Sequence, residues 1–204
     1  EVIVNLETAI TKNCPPTSKS VTISMNPNDL KVIKNDIQAS IVNTANNHSY
    51  DCWTSSYKKA KEYIKENNLK QFWDGRGDES IIYTWAYEWY NYAFFGFEDI
   101  ETKSNWGEKI KKVKKYSDIG YISIVNLHWG IEYSSKHTQE QEKLAHRFVD
   151  DAKARLIIWH HPHVIADVDI YKWVPIYYSL WNFVFDQPWP ETLRWLWVRC
   201  TVNS

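Results

Sequence analysis

A short apolar run at residues 156–158 ends in three histidines within four positions, His160, His161 and His163, with Pro162 stiffening the backbone between the last two. Two imidazoles in a His-x-His arrangement at the mouth of a strand can aim their nitrogens at one place, and neutral imidazole is the commonest metal ligand. Several adjacent buried histidines serving only the core would each need a hydrogen-bond partner. The cluster therefore reads as a metal or catalytic site, against the plainer alternative of a polar turn. A fold that uses it must place a strand exit at a crevice.

The rest of the chain supplies strands and helices in that style. Residues 1–6 read as a buried strand closed by Asn5 and Glu7, and residues 11–20 as a loop. Asn26 and Pro27 signal an N-cap and first-turn proline, opening a helix with Leu30, Ile33 and Ile37 along one face. A strand at 39–42 feeds the polar block at 44–51, and an amphipathic helix covers 54–68. Strands follow at 69–72, 80–84 and 90–97, the last two pairing antiparallel. A lysine-rich helix at 108–116 leads to a strand at 119–127, with His128 at its exit. Thr138 and Gln141 form a capping box for a helix reaching about Lys153, which returns to the strand at 155–158. Residues 167–171, 175–180 and 196–202 read as further strands.

Alternating strands and helices followed by strands predict an α/β sandwich with mixed sheets. Each polar block lies just beyond a strand, and in open α/β sheets ligands gather at the carboxyl ends of strands. Asn5, Glu7, Asn47, His48, His128, His161 and His163 can thus converge from distant parts of the chain. At 204 residues one domain is expected. With 24 basic and 25 acidic side chains, nothing marks a nucleic-acid surface, and the expected partner is a small molecule or an anionic polymer. No apolar run is long enough to span a bilayer. Three cysteines, Cys14, Cys52 and Cys200, suggest neither a disulfide framework nor a zinc knuckle.

Four blocks carry a family resemblance: VNLET at 4–8, TANNHSYD at 44–51, VNLHWGIEY at 125–133, and HHPHV with IYKxxPIYYSLxNFVFDQ from 160 to 187. In this order they resemble the CapA family, the poly-γ-glutamate capsule synthesis proteins, whose domain is related to calcineurin-like metallophosphoesterases. The resemblance implies a four-layer αββα sandwich, a role in bacterial capsule metabolism, and a place at the cell envelope or extracellular face. CapA-like chains usually open with a Gly-Asp strand block that supplies the first aspartate ligand, and this sequence starts after it. Any membrane anchor is expected only in such an upstream segment.

In the metallophosphoesterase pattern, ligands come from an early Asp and His, a bridging Asp, the Asn of an Asn-His pair, a single His and a final His-x-His. Carried over, this implies Asn47, His128, His161 and His163 as metal ligands, Glu7 roughly in the place of the bridging carboxylate, and His48 as the acid facing the leaving group. His160 is an extra histidine able to exchange roles with His161. Two divalent metal ions about 3.5–4 Å apart are implied for the full-length protein, binding a phosphoryl oxygen and activating water, and without the upstream aspartate one position loses an anionic ligand. The alternative is a non-catalytic module that binds or hands over an anionic polymer in the same cleft. Taken singly, Asn46, Asn47 and His48 read equally as an Asn-rich turn, and His128 as a structural histidine. His137 and His146 read as surface residues.

Composition holds one anomaly, 12 Trp against 6 Gly, where average usage of about 7% predicts roughly 14 Gly. Trp53, Trp73, Trp159, Trp173 and Trp181 stand where the resembling family has glycine, whereas Trp129 stands where it has tryptophan. Glycine at such turns serves φ > 0 or close backbone approach, which indole serves badly. The pattern is that of a UGA codon read as glycine by the source organism and translated here as tryptophan, with Trp85, Trp89, Trp195 and Trp197 as further candidates. It predicts positive φ, crowding or unusual exposure at these residues, and a Trp159 that crowds the histidine site.

Overall fold

The computed structural model describes residues 1–74, 80–101, 103–180, 182 and 196–201. Its strands are β1 (Ile3–Asn5), β2 (Ala9–Ile10), β3 (Ser24–Met25), β4 (Ile41–Asn43), β5 (Lys70–Asp74), β6 (Ser80–Ile81), β7 (Tyr83–Tyr87), β8 (Tyr90–Glu98), β9 (Tyr121–His128), β10 (Leu156–His160), β11 (Val168–Tyr171) and β12 (Val174–Tyr177). Its α-helices are α1 (Leu30–Asn35), α2 (Trp53–Glu66), α3 (Trp106–Asp118) and α4 (Gln139–Asp150).

Among the described residues, β1-β4-β5-β6 form one sheet and β11-β12-β10-β9-β8-β7 another. Both are mixed: β1, β4 and β5 run parallel, as do β8, β9, β10 and β12, with antiparallel strands at the edges. Period-two alternation explains how the layers stack. Along β8, Tyr92 and Phe94 pack with Ile41 and Phe72 of the facing sheet, while Ala93, Phe95 and Phe97 join Ile110 and Val113 of α3 and Leu144 and Phe148 of α4. On the outer face of the first sheet, Val42 packs with Leu30 of α1 and Ala60 and Ile64 of α2. The result is the expected αββα sandwich. Near the upper edge the sheets approach so closely that a Cβ on Gly96 would lie 2.4 Å from Asn43 Oδ1 and 2.9 Å from Ala45 Cβ.

Local signals shape the ends. Asn26 accepts from Asn28 N ahead of Pro27, and the Thr138–Gln141 capping box is complete. The hairpin of β7 and β8 is antiparallel as expected, but Ser80–Ile81 pairs with β5 instead. Residues 196–201 are not a strand, correcting the sequence reading, and residue 202 of that segment lies outside the described residues.

The cysteines also require a correction: Cys14 and Cys52 form a disulfide across 38 positions. It ties the 11–20 loop to the start of α2, beside the Asn47–His48 loop. In the chain-entropy picture, a loop of this size constrains the denatured chain by about 4 kcal/mol.

Of the anomalous tryptophans, Trp53 and Trp173 have φ of 73° and 69°. Lys172, at 48°, precedes Trp173 between the paired Tyr171 and Val174. Two consecutive positive φ values in a two-residue hairpin are the type I′ signature, which favours Asn-Gly. The indole of Trp173 is 95% exposed, and that of Trp89, in the β7–β8 hairpin at the opposite edge of the sheet, 93%. Trp73 is buried against Tyr50 and Tyr57, and its Nε1 has no hydrogen-bond partner among the described residues. Trp159 does not crowd the histidines. With Ile157 it faces the helices, where Nε1 donates to Trp129 O at 2.6 Å. Trp181 and Trp195 lie outside the described residues.

Candidate metal centre

Four parallel strands end at one edge of the sandwich, and each delivers part of the site. Glu7 follows β1, Asn47 and His48 follow β4, His128 ends β9, and His161 and His163 follow β10. On β9, Val125 and Leu127 face the helices, so by strand alternation His128 turns between the sheets. His160, paired in register with His128, also turns inward. The backbone then swings into left-handed conformations at His161 (φ 99°) and His163 (φ 54°). Such strain costs on the order of 1–3 kcal/mol per residue and gathers at functional sites.

His128 Nε2 lies 2.7 Å from Asn47 Oδ1 and 3.4 Å from Glu7 Oε1, and Glu7 Oε1 is 3.7 Å from His163 Nε2. The His128 and His161 rings are 5.1 Å apart, and those of His161 and His163 5.9 Å. All five residues expected as ligands are therefore brought together. One ligand atom from each of Glu7, His128 and His161 falls within 4.8 Å of the others, and the same holds for Glu132, His161 and His163.

Their electrostatics suit a cation. Burial of Glu7 works to raise its pKa, but His128, then His163 and His48, outweigh this and hold the carboxyl well below the usual range. Burial, reinforced by the neighbouring His128, pushes His160 and His161 down to about 3. Both imidazoles are thus neutral at physiological pH, the form that ligates metal. Glu7 Oε1, His128 Nδ1 and His161 Nδ1 are buried without a hydrogen-bond partner among the described residues. Left so, each would cost about 1–3 kcal/mol. His163 Nδ1 lies 2.8 Å from Asn182 Oδ1, an outer contact of the kind that orients a ligating histidine and leaves Nε2 toward Glu7. The residues present therefore fit a divalent ion.

The loop carrying Asn47 and His48 is braced from below. Asn46 donates to Leu6 O at 3.0 Å, and its Oδ1 accepts from His48 N and from Ser49 Oγ. His48 Nδ1 sits 2.6 Å from Asp51 Oδ2, and Lys19 Nζ reaches Asp51 Oδ1 and Asn47 O. Burial raises the Asp51 pKa, but His48, Lys19 and the Ile23 amide bring it below the ordinary value. Asp51 is the last residue of TANNHSYD, three positions after His48, and Glu132 lies inside VNLHWGIEY; the metallophosphoesterase pattern gives neither a role.

Other histidines are structural. His160 lies 3.4 Å from Asn126 Oδ1 and belongs to neither ligand group, so it does not exchange with His161. His137 stacks on Tyr178 at 4.0 Å and faces Asp167 at 3.2 Å, and His146 stacks on Tyr171 at 3.6 Å. Neither is the unaccompanied surface residue that sequence suggested.

Comparisons with known proteins give the family and the fold. The family model described as bacterial capsule synthesis protein PGA_cap matches residues 2–81 and 83–187. The chain is 32% identical over 209 residues to the PGA biosynthesis protein CapA of Bacillus subtilis, covering 92% of this chain and 54% of that protein. It is 33% identical over 201 residues to the capsule biosynthesis protein CapA of Bacillus anthracis, covering 89% and 48%. The chain spans about half the length of the curated relatives it matches. A hypothetical protein from Thermus thermophilus shares the fold, with a TM-score of 0.57 at 11% identity over 77% of this chain and 59% of that one.

Proposed function

The chain belongs to the bacterial capsule synthesis protein family PGA_cap, and from that premise we propose that it carries a two-metal, phosphoesterase-type hydrolytic site serving poly-γ-glutamate or capsule synthesis. The observation that carries this reading is the convergence of Glu7, Asn47, His128, His161 and His163 from four strand exits, with buried ligand atoms left unpartnered. Divalent ions held there would polarise a phosphoryl oxygen and lower the pKa of a water molecule. Glu7, 3.4 Å from His128 and 3.7 Å from His163, would supply the anionic ligand among these histidines.

Water adds across the phosphorus–oxygen ester bond, and the departing oxygen needs a proton. His48 is the group to give it. With Nδ1 held on Asp51, its imidazolium form carries the transferable proton on Nε2, and the Asp51 carboxylate stabilises that cation and fixes the ring. A cleft that only bound polymer would have little use for this pair.

The Cys14–Cys52 disulfide fits an oxidising compartment and hence the outer face of the cell envelope. No helix among the described residues is long and apolar enough to cross a membrane.

The test is hydrolysis of bis(p-nitrophenyl) phosphate by protein loaded with Mn²⁺ or Zn²⁺. Slow turnover abolished by a chelator is expected. Retention of poly-γ-glutamate without hydrolysis of any phosphate or peptide-like ester would favour the non-catalytic binding module instead.

A further inference from the structure

We propose that Glu132 is a metal-ligating residue, closing an outer cation position with His161 and His163 beside an inner position at Glu7 and His128. This rests on the metal-site reading above and adds to it a residue that the metallophosphoesterase ligand pattern leaves without a role.

The first support is proximity. One ligand atom from each of Glu132, His161 and His163 lies within 4.8 Å of the other two. Ligand bonds of about 2.0–2.2 Å place two donors on opposite sides of one ion at most about 4.4 Å apart, so a small contraction suffices. His161 belongs to both groups, so the two positions adjoin, and its single ring lone pair would serve the outer one.

The second support is the way the Glu132 segment is fastened. Tyr133 N donates to Pro162 O at 2.7 Å, and Pro162 stands between the two histidines. Tyr133 itself takes a left-handed φ of 60°, and its ring lies 6.2 Å from that of His163. At the other end, Gln141 Nε2 donates to Trp129 O at 3.4 Å while its Oε1 accepts from Thr138 N in the capping box of α4. Gly130, at φ +134°, admits this packing, because a Cβ there would meet Gln141 Nε2 at 2.7 Å. Both flanks of Glu132 are thus held in place, one of them on the histidine loop.

The third support is chemical. His161 has a buried Nδ1 without a partner among the described residues, and His163 keeps Nε2 on the side away from Asn182. Two imidazoles bring no negative charge to a divalent ion, and a carboxylate at the open rim supplies it.

The test is Mn²⁺ titration of chelator-stripped protein by calorimetry, with low-temperature electron paramagnetic resonance on the loaded samples. The intact protein is expected to take up two ions and give the spectrum of a spin-coupled pair. Glu132→Gln should keep one ion, lose the coupled spectrum, and weaken second-ion binding by at least the 10–100-fold that even an outer-shell change costs. Glu132→Asp should recover part of it. Glu132 is exposed, so an unchanged melting temperature is expected for both variants. A Glu132→Gln protein that retains the coupled pair at intact affinity overturns the proposal and leaves the two-metal reading standing. An intact protein that takes up one ion or none overturns both.

Discussion

Replacing His48 with Ala is expected to lower phosphodiester turnover of the metal-loaded protein by roughly 10²–10⁴-fold, the range supplied by a positioned general acid, and to leave metal content unchanged. The separation follows from where the ring sits. His48 Nδ1 is committed to Asp51 at 2.6 Å, and His48 belongs to neither ligand group, whereas Asn47, the preceding residue, lies 2.7 Å from His128. On the proposed mechanism adjacent residues on one loop would serve different tasks, Asn47 as a ligand and His48 as the acid toward the leaving group. Asp51→Asn should lower turnover by less, because the ring keeps a hydrogen-bond partner but loses the charge that stabilises its cation. A His48→Ala protein with intact turnover, or one that loses its metal, would contradict this division. The measurement is steady-state hydrolysis beside elemental analysis of the same samples.

The second large effect concerns the tryptophans. We infer that the codons for Trp53, Trp73, Trp159, Trp173 and Trp181 are UGA read as glycine, and that the codon for Trp129 is UGG. Trp53 and Trp173 hold left-handed φ values that L side chains adopt at a cost of roughly 1–2 kcal/mol each. The double substitution Trp53→Gly with Trp173→Gly should therefore raise unfolding free energy by about 2–4 kcal/mol. Neither position is a buried core site: Trp53 is 56% exposed and Trp173 nearly bare, so little packing is lost. Urea denaturation measures the gain, and the nucleotide sequence tests the codons. UGG at Trp53, Trp159 and Trp181, or a double variant no more stable than the parent, would contradict the inference.

What sequence made legible, and what it hid, has a common physical reason. Strand exits can be read because apolar runs stop abruptly at polar residues. Asn5, Glu7, Asn47, His48, His128, His161 and His163 are therefore legible as residues at strand exits, while the choice of ligands among them comes from the family resemblance, and the parallel pairing of β9 with β10 brings two of those exits level. Contacts that depend on how loops fold over the edge were not readable in this way. The Cys14–Cys52 bridge joins a Pro- and Ser-rich loop to a helix start, and no spacing rule links them. Glu132 lies on an exposed loop, where an acidic residue is unremarkable until Tyr133 is found fastened to Pro162. His137 and His146 looked solitary because their partners, Tyr178 and Tyr171, come from residues more than twenty positions onward. Residues 196–201 open on an apolar run like a strand in sequence but find no pairing partner among the described strands.

The most direct measurement is anomalous diffraction at the zinc edge from crystals of the protein grown with Zn²⁺. Peaks are expected at the strand exits, about 2.0–2.2 Å from a Glu7 oxygen and from nitrogens of His128, His161 and His163. Crystals of zinc-saturated protein with no peak among these residues, or with zinc bound only elsewhere, would contradict a metal centre at this edge of the sandwich.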